Sequence, residues 1–421
     1  MATTLRTFST AALLAALLPF SACDRPGGGG EWTGSVTDSA GVQIVSNPGE
    51  GIWSEEDRWR VVEELAIGVA SGNPELEFGL IAGVDVDDQG RIFVLDQQAS
   101  RIRVFSPEGD FLHAFGRPGQ GPDELSQAAG ALLIDREGNL LVPDLLNQRL
   151  ARFTPEGEAL ASVPLDVSQG FPVIWAVDDE RTIYQQVRRI AIPGMPGAPD
   201  PEADLILVRN PEGQVTDTVA RLRTGETLQS GAGGITGIRM LAPEPLWTVL
   251  EDGRLVEGIN SEYSLSVRGP GGEVRTILRR EATTRPVTQS DEERLRGMFA
   301  GAFEDGGVPA AAVQQMLGMI EFHHEWPVLA ALFGGPSQSL WVQRIATDIT
   351  FDELSPAALQ ELEFGSREWD VFDADGRYLG VVAFPEHVTP RRTVGDHIYA
   401  IRQDELGVQR VVRMRVEGSS P

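Results

Sequence analysis

Three groups of residues in this 421-residue sequence have types and spacings that could do chemistry. His323-His324-Glu325 is the densest titratable cluster in a chain with only five histidines, and imidazole and carboxylate groups are ligands for zinc or calcium. Asp85, Asp87, Gln89, Gly90 and Asp96 have the spacing of a calcium loop. Arg239, Arg391 and Arg392 form the third group; a local guanidinium cluster in an acidic chain would single out an anion, through paired hydrogen bonds to carboxylate or phosphate. Two glycine-rich stretches, FGRPGQGPDEL (115–125) and GAGGITG (231–237), raise the further question of a phosphate or dinucleotide cradle.

Several of these signals are limited by what surrounds them. A dinucleotide fingerprint needs a strand before it and a helix after it, whereas a strand-rich unit follows GAGGITG. There is no GK[ST] sequence and no lysine: all 35 basic residues are arginine, which excludes a Schiff-base lysine and a phosphate-loop lysine. GPSQS (335–339) has serine where a nucleophile elbow needs its final glycine. Adjacent histidines point to opposite sides of an extended chain, so one metal could engage both only across a bend. No resident cofactor is expected; calcium or zinc at the histidine cluster is the alternative. A net charge of −27 repels phosphate backbones and argues against nucleic acid as a partner.

The first residues carry an address. MATTLRTFSTAALLAALLPFSAC has one arginine, a short apolar run and small residues before the only cysteine, the pattern of a secretory signal over 1–22. Phe20-Ser21-Ala22-Cys23 resembles a bacterial lipobox with phenylalanine in place of the usual leucine. That resemblance implies cleavage before Cys23, lipidation of its thiol, and a membrane-anchored protein of the cell envelope on the periplasmic or surface side. With a single cysteine no internal disulfide can form. Residues 23–40, with four successive glycines, are expected as a flexible tether.

The elements that must position the candidate residues emerge from a repeat. A shift of 48 residues aligns 84–109 with 132–157 without a gap, placing Asp87 on Asp135, Asp96 on Asp144, Arg101 on Arg149 and Pro107-Glu108-Gly109 on Pro155-Glu156-Gly157. Leu133 takes the place of Asp85, which weakens the calcium reading in favour of a hairpin turn. The same register puts FGRPGQGPDEL at a junction between units, so its glycines serve a connector. Each unit reads as four short strands, with segments 82–87, 91–96, 101–106 and 111–115 in the first. The turn before the outermost strand recurs at Gly213, Gly272 and Gly376, with a displaced copy near Gly407.

GRIFVLDQQASRIRVFSPEGDFLHAFGRPGQG (90–121) resembles the NHL-type repeat, and the second copy keeps its polar trio as Asp144, Asn147 and Arg149. The resemblance implies an all-β, six-bladed β-propeller spanning 41–418, with later blades at 173–220, 246–279, 328–384 and 397–416. WRVVEELA (59–66) is expected to complete the sixth blade, helped by GVQIV (41–45). A helical insertion interrupts the rhythm at about 286–325: a capping box of Ser290 and Glu293 starts one helix, Pro309 opens a second, and Ser355-Pro356 starts a third short one. The function expected is a binding or scaffolding module for a protein or a small anionic ligand. The alternative is a metal-dependent hydrolase or lyase, lactonase-like, at the mouth of the channel, as some propellers similar to this one are. Its ligand set cannot be assembled from inner strands as apolar as these.

Overall fold

β-Branched and aromatic residues dominate short segments separated by Asp-, Pro- and Gly-containing turns, and these segments pair as antiparallel meanders. The computed structural model describes residues 30–165, 170–188, 203–231, 234–305, 307–346 and 364–418. Blade 1 consists of Ile81–Val86, Ile92–Asp96, Arg101–Phe105 and Phe111–Phe115, hydrogen-bonded in that order from the inside outward. Blade 2 runs from Leu133–Ile134 to Ala159–Pro164, blade 3 from Phe171–Val177 to Val215–Arg223, and blade 4 from Pro245–Val249 to Val274–Arg280. Blade 5 runs from Leu329–Gly334 to Tyr378–Ala383. Blade 6 takes Val388–Val394, His397–Gln403 and Gln409–Glu417 from the C-terminal region, and Arg60–Ile67 as its outer strand.

This closure is the one the sequence predicts for 59–66: Arg60–Ile67 lies antiparallel to Gln409–Glu417, with Val61 opposite Val416 and Ile67 opposite Val411. Every junction between neighbouring blades then encloses its own hydrophobic cluster, from Phe93, Leu140 and Phe153 between blades 1 and 2 to Ile81, Phe105, Tyr399 and Val411 between blades 6 and 1. Phe93, Phe105, Phe153 and Phe372 are fully buried, and removal of such a ring from water contributes about 1.5–3 kcal/mol. Glycines 109, 157, 213, 272 and 376 occupy the turns before the outer strands of blades 1–5 with φ between 79° and 93°. Gly407 (φ 81°), expected as a displaced sixth copy, lies instead between the second and third strands of blade 6, whose outer strand comes from the N-terminal side. A side chain with a Cβ rarely adopts that conformation, which is why one residue type recurs there.

Two expectations about the N-terminal region are corrected. Val42–Asn47 does not support the sixth blade; it runs parallel to Val274–Arg280 of blade 4, with Ile44 opposite Ile277. Ser35–Ser39, expected within the flexible tether, forms a further strand on it, so blade 4 grows to six strands. The sixth blade stops at four strands with Arg60–Ile67, and the N-terminal pair extends blade 4 along its outer strand Val274–Arg280. Asn47 pins the addition: its Nδ2 donates to the Gly376 carbonyl at 2.9 Å and its Oδ1 accepts the Tyr378 N–H at 2.8 Å. The signal segment, Cys23 and the first part of the tether lie within 1–29, outside the described residues.

The insertion is helical, as expected, with helices Gln289–Asp305 and Ala310–Leu317. Its cap differs from the one read in the sequence. Thr288, not Ser290, receives the first amide: its Oγ1 accepts the Asp291 N–H at 3.2 Å, and Asp291 Oδ2 accepts the Thr288 N–H at 2.9 Å. The Thr-x-x-Asp box sits two residues earlier because Asp291 is also held by Trp326, whose Nε1 donates to it at 3.4 Å. The third helix expected from Ser355 falls outside the described residues.

Candidate functional site: the central channel

The repeated polar residues hold connectors in place. Asp96 accepts the N–H groups of Gly79 (3.1 Å) and Ala99 (3.1 Å) and pairs with Arg103 at 2.7 Å. Burial opposes its ionisation, yet these donors hold its carboxyl below the usual range. Asp144 repeats the arrangement in blade 2, accepting from Asn147 Nδ2 at 2.6 Å and from Ser126. In FGRPGQGPDEL the amides that a phosphate cradle would present are already taken. Glu124 Oε2 accepts the N–H groups of Gln120 and Gly121 at 2.8 and 2.7 Å, and Arg149 donates to the Gly121 carbonyl at 2.8 Å. The calcium-spaced set is likewise dispersed. Asp87 closes its hairpin through the N–H groups of Gln89 and Arg91, while Asp85 turns into the channel.

The histidine cluster and Arg239 belong to a second place, a small sheet between blades 3, 4 and 5. Leu228–Gly231 pairs antiparallel with Gly234–Met240, strands that hold the described residues of GAGGITG, and Ile320–Phe322 adds to them in parallel. Arg239 lies opposite Glu321 there, 3.9 Å from its carboxylate and 3.6 Å from that of Glu226. His323 and His324 follow directly, their rings 4.1 Å apart. His323 Nδ1 bonds the Glu325 carbonyl oxygen at 3.0 Å, and Glu325 bridges to Pro286. Among the described residues no three His, Cys, Asp or Glu side chains gather closely enough to hold a metal ion.

Arg391 and Arg392 are in the third place. The last blade expected at 397–416 would leave them ahead of its first strand; they lie within the inner strand, Val388–Val394 of blade 6, and no ion pair or hydrogen bond links them to Arg239 or His323 among the described residues. All six inner strands contribute to a central cavity of about 390 Å³. One end of it is tied across. Arg392 donates to the Val177 carbonyl at 2.8 Å, reaches Asp179 at 3.4 Å, and stands 3.6 Å from Asp85. Arg181 contacts Asp85 at 3.1 Å from the other side, and Asp85 Oδ2 accepts the Ile134 N–H at 2.8 Å. Thr393 Oγ1 donates to the Gly334 carbonyl at 2.7 Å, and Glu251 accepts the Gln338 N–H at 2.9 Å. This network joins side chains and backbone of every blade at the end where each inner strand turns into its neighbour. Burial pushes the Glu251 carboxyl above its usual range, and nearby Asp179 adds to the shift.

Further up the channel apolar side chains enter the wall, with Val173 and Ile174 respectively 42% and 44% exposed. Both side chains reach it because blade 3 carries a bulge: Pro172 pairs with Val187 and Trp175 with Gln185, leaving two residues opposite one. Arg391 sits at a matching irregularity between Pro390, paired with Ala400, and Arg392, paired with Tyr399. It is exposed, lines the cavity, and has no hydrogen-bond or ion-pair partner among the described residues. Arg181, Asp179, Glu251, Val173 and Ile174 were not signalled by the sequence motifs. The prolines were a usable signal, since within a sheet proline is confined to edges and bulges.

Comparison with known proteins agrees on the architecture. A family model described as a 6-bladed beta-propeller matches residues 73–193. The sequence matches no curated protein. Among solved structures it is similar to a member of the DUF4221 family from Bacteroides vulgatus at 13% identity, with 86% of this chain and 99% of that chain covered and a TM-score of 0.52. It is also similar to a protein of unknown function from Bacteroides thetaiotaomicron (10% identity, 86% and 77% covered, TM-score 0.45). Virginiamycin B lyase from Staphylococcus aureus is a third (12% identity, 85% and 99% covered, TM-score 0.41). The likeness to the first is one of fold, and with the six sheets described above it makes this chain a six-bladed β-propeller.

Proposed function

We propose that the protein is an exported, lipid-tethered binding module that receives its ligand in the central channel. The observation that carries this reading is the cavity itself: about 390 Å³, within the range of small-molecule sites, with exposed apolar side chains above a fully tied end. A wall that exposes valine and isoleucine leaves apolar surface in water, and a ligand covering it recovers that free energy. Export and anchoring are supported by the apolar segment before Cys23. Among the described residues no helix is long and apolar enough to cross a membrane, so the lipid on Cys23 would supply the hold.

Two measurements test this. Cys23→Ala is expected to move the protein from the membrane fraction to the soluble exported fraction of a bacterial host, with loss of acyl mass on the mature N-terminus. Protein purified without chelator is expected to carry no stoichiometric metal. Calcium or zinc at one equivalent, lost on substituting His323 or His324, would replace the binding reading with the metal-dependent hydrolase or lyase.

A further inference from the structure

We infer that the channel binds a small organic anion with a single charged head and an apolar body, the head held by Arg391; this rests on the channel being the binding site. Inner strands in four blades are irregular at similar depth. Ala82 is the extra residue in blade 1, Val173 and Ile174 share the irregularity in blade 3, Ala330 is the extra residue in blade 5, and Arg391 in blade 6. A bulged residue is released from the ladder and re-aimed, which is the reason such positions recur beside binding sites. Three of the four irregularities carry apolar residues; only blade 6 places a charge there. A guanidinium that lines a cavity with no partner among the described residues contrasts with Arg181 and Arg392 deeper in, both held by Asp85. With 62 acidic residues against 35 arginines, an arginine left unpaired in a cavity is a specific disposition of charge.

The surroundings limit the ligand to one charged head. Asp85, Asp179 and Glu251 line the tied end, so a second anionic group directed there would meet carboxylates. The body of the ligand must instead extend along Val173, Ile174 and the apolar inner strands, where methylenes displace water. A monocarboxylate with a short aliphatic chain meets both conditions.

The experiment uses octanoate, 1-octanol and octylammonium as probes, titrated calorimetrically into the intact mature protein. Octanoate is expected to bind at one per chain, at least tenfold tighter than 1-octanol, with octylammonium weakest. Arg391→Gln should weaken octanoate at least tenfold, leave 1-octanol within twofold and leave the urea midpoint of unfolding unchanged, while Arg391→Lys restores part of the octanoate affinity. Ile174→Trp, which fills the channel, should abolish binding of octanoate and 1-octanol together. If Ile174→Trp abolishes both but Arg391→Gln leaves octanoate unaffected, the anion inference fails and the channel reading stands. If binding survives Ile174→Trp, the channel reading itself fails. Absence of octanoate binding to the unsubstituted protein, or equal affinity for octylammonium, overturns the inference outright.

Discussion

Arg391 and Arg392 are neighbours in one strand and have opposite fates. Arg392 crosses the channel to blades 1 and 3 and is consumed by Asp85, Asp179 and two backbone carbonyls. Arg391, one residue earlier, stands at a break in the ladder and faces the cavity. The contrast separates two environments along one axis. Where the inner strands turn, every blade is linked to others and buried charges are matched. Where they bulge, side chains are released from pairing and remain available. A buried charge with its counter-charges is costly to break, whereas an exposed one without partners contributes little to the fold.

That contrast can be broken at several points. The largest effect is expected from Asp85→Ala, which strands Arg181 and Arg392 at the tied end. Loss of a buried counter-ion costs about 3 kcal/mol or more, read as a lower urea midpoint. Asp144→Ala, removing the acceptor that anchors the connector before blade 2, should cost about 2 kcal/mol by the same measurement. Arg391→Ala should stay within about 0.5 kcal/mol of the parent, and a larger loss would show that this arginine is structural after all.

Glu251→Gln sharpens the comparison through pH and is the smallest effect. Because burial raises the folded-state pKa of Glu251, its contribution to stability is fully present below the unfolded value of about 4.3 and fades as pH rises through the folded value. The glutamine variant lacks that loss. Its unfolding midpoint should therefore exceed the parent's at neutral pH and converge on it in acid, and a parallel pH profile would contradict the assigned burial.

Much of the frame was readable because it rests on local chemistry. The outer turns need φ > 0, so glycine marks those of blades 1–5 in the expected register, whereas Gly407 belongs to an inner turn of blade 6 because the outer strand there is supplied from the N-terminal side. Asp96 and Asp144 recur 48 residues apart because both connectors need the same backbone donors satisfied. The Thr288 cap was missed although Thr-x-x-Asp is a valid box, since a serine and a glutamate nearby satisfied the same pattern. Val42–Asn47 could not be assigned to a blade: its alternation states that it is a strand, but the edge it joins, 233 residues away, goes with tertiary contacts such as those of Asn47 to Gly376 and Tyr378.

By itself the sequence determined the repeat, the strand–turn alphabet, the closure by residues near Trp59 and an acidic chain with arginine as its only strong cation, since each follows from side-chain period, turn conformation or charge. The tertiary structure alone decided which charged residues meet. Asp85 and Arg181 are 96 residues apart, and Asp179 and Arg392 are 213 apart, yet each pair closes across the axis. Local propensity sets the conformation of a strand. The ring decides which strands face one another, and a one-residue bulge then decides whether an arginine is spent on the fold or faces the cavity.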